Sequence, residues 1–299
     1  MVDHFESGRF DQASGLRRMG GLQPVKVVAI TGGKGGVGKT LVAVNLGAAL
    51  ARAGSGAMLL DADLGLANVD VLLGLHARMN LEHVVNGECA LDDVILTATS
   101  GLKVVPASSG STAMASLGHV QHAGLVNAFS QLFEPLDVLL IDTAAGVGDG
   151  VVTFSEAAQR VVVVVCDEPA SLTDAYGLIK VLCRRQAGCR FEIVANMVDG
   201  PAQGRALYDK LARVCDRFLG ITPSYFGHVP YDEYLRQAIR RQTTVVEAFP
   251  SSPSARAFRR LAQAVAAWTP ASGARGGIEF FMERMLRAPA ALTVESAVR

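Results

Sequence analysis

The sequence predicts an α/β fold: a doubly wound, mostly parallel sheet with helices on both faces. Three observations lead there. Short β-branched or leucine-rich runs alternate with helix-period stretches over about residues 25–270. Those runs are hydrophobic on both sides, as strands covered by two helical layers must be. The intervening stretches are long enough to cross over between parallel neighbours.

Taken in order, residues 1–24 mix Gly, Ser, Arg and acids up to Pro24 and read as a loose arm, with a short helix around Asp11–Met19. Strands are expected at Val25–Thr31, Ala57–Leu60, Leu102–Val105, Asp137–Ile141, Arg160–Cys166 and Phe191–Ala195. Helices are expected at Lys39–Ala53, Leu117–Phe133, Leu172–Arg185, Pro201–Phe218 and Ser254–Trp268. A break at Thr269–Gly277, rich in Gly and carrying Pro270, sets off a tail at 271–299 with one more short helix. The chain thus divides into arm, body and tail.

Composition narrows the function. The 299 residues carry a formal net charge of zero, so no general affinity for nucleic acid or anionic lipid is expected. Five scattered cysteines without a C-x-x-C pair argue against a disulfide framework, a zinc site or an iron–sulfur carrier, and suit a reducing compartment. Asp3 and Glu6 interrupt the start of the chain, which does not read as a signal peptide. No uncharged apolar stretch approaches the roughly 20 residues of a membrane-spanning helix.

The strongest motif is Thr31-Gly-Gly-Lys-Gly-Gly-Val-Gly-Lys-Thr40. Gly33, Gly38, Lys39 and Thr40 satisfy G-x-x-x-x-G-K-[ST] between an apolar strand and a helix. Glycines allow successive backbone N–H groups to approach phosphate oxygens, and the next helix points its positive end at the same anion. Lys39 reaches the β- and γ-phosphates, and the Thr40 hydroxyl ligates magnesium. Lys34 is a second lysine inside the loop; it is either a solvated charge or a group that reaches a phosphate on a facing subunit.

Two further segments put acids after apolar strands, where open α/β sheets bind ligands: Asp61-Ala62-Asp63 and Asp142-Thr143-Ala144-Ala145-Gly146. Asp142 fits the magnesium-associated acid of phosphate-loop nucleotidases. Asp61 could steady the metal shell and Asp63 orient the attacking water, while Gly146 lets a backbone N–H near the γ-phosphate. Acids at strand ends also serve as helix caps or turn residues.

With its extra lysine, Lys34–Thr40 resembles the deviant Walker A box of the MinD/ParA ATPases. Asp61–Asp70 and Asp142–Gly146 are similar to that family's two switch segments. The match covers about residues 25–270. Three stretches resemble the branch of flagellar number regulators, the FlhG or FleN group: Asp11–Arg17, which matches D-Q-A-x-x-L-R, then Cys166–Tyr176 and Val229–Glu233. Ala170 stands where Thr or Ser is expected.

The resemblance implies a P-loop NTPase of the SIMIBI, MinD-like class that binds ATP and Mg2+ as a homodimer and hydrolyses ATP slowly to reset. Gly33, Gly35, Gly36, Val37, Gly38, Lys39 and Thr40 would hold the nucleotide. Lys34 would contact the partner's nucleotide, Asp63 would position water and Gly146 would sense the γ-phosphate. Asn196, Pro230 and Asp232 would line the adenine pocket. Asp11, Gln12, Ala13, Leu16 and Arg17 would engage a flagellar SRP-like GTPase, with Gln12 or Arg17 supplying polar groups to its site. A flagellar transcription activator is the other implied partner.

In the tail, Ile278, Phe281, Met282 and Met285 form one apolar helix face. It would rest on a membrane, as in ATPases that bind membranes when dimeric, or dock on the body. The expected location is therefore cytoplasmic, at the inner face of the cell membrane in the ATP-bound state. The competing readings on this fold are a DNA-partitioning ATPase and a cell-division-site ATPase. The first would need Arg236, Arg240, Arg241, Arg256, Arg259 and Arg260 to form a basic surface.

Overall fold

The computed structural model of the chain describes residues 25–63, 68–106, 128, 136–185 and 189–269. The helices expected in the arm and the tail, and most of Leu117–Phe133, lie outside them.

Eight strands form one sheet: β1 Lys26–Thr31, β2 Ala57–Ala62, β3 Leu96–Thr97, β4 Lys103–Val105, β5 Val138–Thr143, β6 Arg160–Val165, β7 Phe191–Val198 and β8 Ser224–Pro230. Their order is β3-β4-β2-β5-β1-β6-β7-β8, and every pair is parallel except β3 with β4. The described helices are α1 Lys39–Arg52, α2 Val69–Leu72, α3 Leu81–Val85, α4 Leu91–Val94, α5 Asp149–Ala157, α6 Pro169–Arg185, α7 Pro201–Leu219, α8 Glu233–Arg240, α9 Val245–Ala248 and α10 Pro253–Ala267.

The expected doubly wound sheet is present, with corrections at its margins. The sequence pattern does not reveal β8, because Ser-Tyr-Phe-Gly-His-Val-Pro is an edge strand that fully buries only Val229. Nor does it reveal α5, which is brief and begins just after Gly148. The short β3 returns antiparallel to close the other edge.

Alternation of side chains sorts the core onto two faces. On one, Val28, Ile30, Leu59, Leu140, Val162 and Val194 pack with Leu46 and Leu50 of α1 and Phe258 and Leu261 of α10. On the other, Val27, Ala29, Leu60 and Ile141 meet Phe154 of α5, and Val161, Val163 and Ile193 meet α6 and α7. In α7, Leu207, Leu211 and Cys215 recur every fourth residue and are buried. Pro201 opens that helix and Gly220, at φ 65°, ends it.

β1 is central. The chain leaves it towards β2 on one side and later fills the other with β6, β7 and β8, so strand order reverses at β1. A ligand crevice is expected beyond the C-terminal end of that strand. The loop between β1 and α1 occupies this point.

Candidate functional site

The loop from Gly32 to Gly38 joins Thr31 of β1 to Lys39 of α1. Gly36 and Gly38 take φ of 80° and 89°, where a Cβ is strained. Gly38 is the N-cap of α1 and has no side chain to cap it, so the amides of the first turn are left for an external acceptor. A Cβ on Gly35 or Gly36 would meet nothing within 4 Å. On Gly33 it would overlap the main chain of Asp174 and Ala175 in α6, and on Gly38 the side-chain amide of Asn196. The loop is thus open at its crest and walled at its base.

Asn196 is part of that wall. It is buried in β7, and its Nδ2 donates to the Val37 carbonyl at 2.8 Å. The family resemblance gives this side chain to adenine; in this structure it braces the loop that would cradle the phosphates. Lys39 is also buried, at 8% exposure, and burial lowers its ammonium pKa against the raising influence of Asp142 and Asp63. A buried, weakly compensated cation aimed among acids is primed for a polyanion.

Asp61 and Asp142 are direct partners in the β2–β5 ladder, so their carboxylates stand side by side. Both are buried. Their environments differ. Asp61 accepts backbone N–H bonds from Asp63 at 3.1 Å, Asn68 at 3.1 Å and Val69 at 3.3 Å. Burial raises its pKa to about 6 despite these bonds. Asp142 is driven further, to about 7, by burial first; the nearby Thr40 hydroxyl opposes this and the charge of Asp61 adds to it. Neither Asp142 oxygen makes a hydrogen bond of normal geometry among the described residues.

A sealed carboxylate with lone pairs to spare, beside a threonine hydroxyl, is the donor set that a hard cation such as Mg2+ completes. No cluster of three His, Cys, Asp or Glu among the described residues forms a metal cage by itself. The ion would therefore share its shell with phosphate and water, as Mg2+ usually does. Asp61 adds negative charge beside that position, but its oxygens already serve the main chain.

Asp63 is half-buried at the mouth of the site, within electrostatic reach of Lys39. Gly146 takes φ 91° with open space where a Cβ would be, and its N–H donates to the Gly32 carbonyl at 3.1 Å. Lys34 lies on the open side of the loop, and its Nζ is ion-paired with the Glu168 carboxylate just before α6. Pro230 ends β8 in register with Val198. Asp232 caps α8 through Tyr234 N at 3.0 Å, and its other oxygen accepts from Ser254 N at 2.9 Å and Ser254 Oγ at 2.5 Å. That carboxylate clasps the starts of α8 and α10, a structural duty that its motif does not reveal. Glu168 and the Asp174 wall are likewise hidden in the sequence; only the resemblance of Cys166–Tyr176 to one branch marks the region. Asp11, Gln12, Ala13, Leu16, Arg17, Ile278, Phe281, Met282 and Met285 lie outside the described residues.

A central strand feeding a glycine loop, a buried lysine and threonine opening the next helix, and an uncompensated acid one strand away together define a P-loop nucleotidase. A family model described as ParA, NUBPL iron-transfer P-loop NTPase, matches residues 23–266. Antiactivator FleN of Pseudomonas aeruginosa is 53% identical over 275 residues, which cover 92% of this chain and 98% of that protein. Flagellum site-determining protein YlxH of Helicobacter pylori is 29% identical over 88% of this chain and 90% of its own length. Among solved structures, septum site-determining protein MinD of Pyrococcus horikoshii, complexed with Mg-ADP, superposes with a TM-score of 0.66 at 23% identity, covering 81% of this chain and 96% of that one. The chain belongs to the ParA/MinD family of P-loop ATPases, in the group of the flagellar regulator FleN.

Proposed function

We propose that this protein is an ATP-driven dimerisation switch that regulates the number and placement of flagella. The observation that carries the reading is a near full-length identity of 53% to the antiactivator FleN. That identity comes together with a phosphate loop that carries a second lysine, Lys34, next to the open crest at Gly35 and Gly36. Lys39 and the amides of Gly33–Thr40 bind the triphosphate; Thr40 and Asp142 hold Mg2+, with Asp61 beside them. Bound Mg2+ supplies neutralisation of the charge that develops on the transferring phosphoryl group. Asp63 orients the water. The Gly146 N–H, now on the Gly32 carbonyl, turns to the γ-phosphate when ATP is present. Lys34 reaches the nucleotide of the facing subunit, and hydrolysis releases the pair.

In this reading Asp11–Arg17 act on a flagellar SRP-like GTPase, the dimer binds a flagellar transcription activator, and the apolar face at Ile278, Phe281, Met282 and Met285 rests on the inner face of the cell membrane. Sizing chromatography with Mg-ATP tests the core of the proposal. The wild type should dimerise, Lys34→Ala should stay monomeric, and Asp63→Ala should persist as a dimer. A wild type that remains monomeric at saturating ATP would end it. Liposome sedimentation tests the membrane step: Phe281→Glu binding as well as wild type would remove it.

A further inference from the structure

Lys34 does not stand free on the crest of the loop. Its Nζ is paired with Glu168, which lies between the end of β6 and the start of α6. The segment that supplies this acid also forms the wall behind the loop. Gly33, next to Lys34, lies so close to the Asp174–Ala175 main chain that no Cβ fits between them. The leading half of the phosphate loop is therefore held by one stretch, residues 168–175, by steric contact at Gly33 and by charge at Lys34. Gly35 and Gly36, one and two positions further on, touch nothing within 4 Å. Asp174 adds a second negative charge near the ammonium, and both acids favour its charged form.

We propose that Glu168 is a positioning residue that holds Lys34 within its own subunit and must release it for the dimer to form. This rests on the dimerisation reading above and deepens it. A lysine committed to an acid in cis cannot serve a phosphate in trans. The exchange becomes favourable only when the facing subunit presents a polyphosphate, whose charge exceeds that of one carboxylate. A dimer with two-fold symmetry opens two such pairs. Both partners are exposed, so each pair contributes modestly, about 2- to 5-fold in an equilibrium constant. Because two open together, the effect on association is about 4- to 25-fold. The pair is also screened by salt.

The test measures the dimer association constant of the full chain at saturating Mg-ATP by sedimentation velocity. The variants are Glu168→Gln, which removes the charge at nearly constant shape, and Glu168→Asp, which keeps it on a shorter arm. Glu168→Gln should associate about 4- to 25-fold more tightly than wild type at low salt, with Glu168→Asp in between, and the gap should shrink in about 0.5 M salt. Lysine side-chain NMR of the monomer supplies a readout that a merely structural role would not move: the Lys34 ammonium should titrate at lower pH in Glu168→Gln than in wild type. Equal or weaker association of Glu168→Gln would overturn the inference, the weaker case by making Glu168 part of the dimer contact. A wild type that never dimerises would refute the switch itself, and that is seen before any variant is compared.

Discussion

Replacing Asp142 by asparagine should stabilise the nucleotide-free protein near neutral pH while abolishing ATP turnover. Asp142 is 1% exposed and its pKa is raised to about 7, chiefly by burial. In the unfolded chain the same group ionises near 3.8. Between those values the folded state holds one more proton than the unfolded state. Stability therefore falls by about 1.4 kcal/mol for each pH unit gained, and levels off above pH 7. From pH 5 to pH 7 the loss is about 3 kcal/mol, an upper figure because water entering beside the carboxylate relaxes the penalty. The asparagine side chain has no charge to desolvate, so the variant lacks this slope but keeps the smaller one due to Asp61. Urea unfolding of both proteins at pH 5, 6, 7 and 8 without nucleotide measures the difference. Mg-ATP should flatten the wild-type curve, since the ionised carboxylate then has a cation. Parallel curves for the wild type and the Asp142→Asn variant would refute the claim that this carboxylate is an uncompensated charge awaiting a metal.

Three further outcomes are expected from the loop and its supports. Gly33→Ala should destabilise the fold by about 2–3 kcal/mol or displace the loop, because the new methyl overlaps the Asp174 main chain; Gly36→Ala, strained in φ but unobstructed, should cost about 1 kcal/mol, and thermal unfolding separates them. Asn196→Ala removes the bond to the Val37 carbonyl and should weaken nucleotide binding by calorimetry about 5- to 10-fold, even with base contacts unchanged. Asp232→Asn should lose about 2 kcal/mol of stability at pH 7, read by urea unfolding. Burial opposes ionisation of Asp232, but bonds from Ser254, Tyr234 and Ser252 hold its pKa below the ordinary 3.8, so the gap from wild type should close only as pH falls through that depressed value.

The parallel sheet and the phosphate loop were legible because their determinants are local. A run such as Arg160–Val165 is apolar enough to bury both faces, and glycines at 36 and 38 are needed by the loop's own positive φ. The features that the sequence concealed depend on distant pairing. Asp61 and Asp142 read alike, each an acid at the end of an apolar strand, and the ladder places them directly side by side. They diverge through the chain just downstream of each. After Asp61, the main-chain amides of Asp63, Asn68 and Val69 are spent on its carboxylate. After Asp142 the available donors turn elsewhere: the Thr143 hydroxyl goes to the Ile30 and Ala144 carbonyls, and the Gly146 amide to Gly32. One acid is thus committed to the main chain at Asp63, Asn68 and Val69, and the other keeps lone pairs that a cation could use. That difference in spare hydrogen-bonding capacity, rather than motif position, is the physical ground on which the metal is proposed for Asp142.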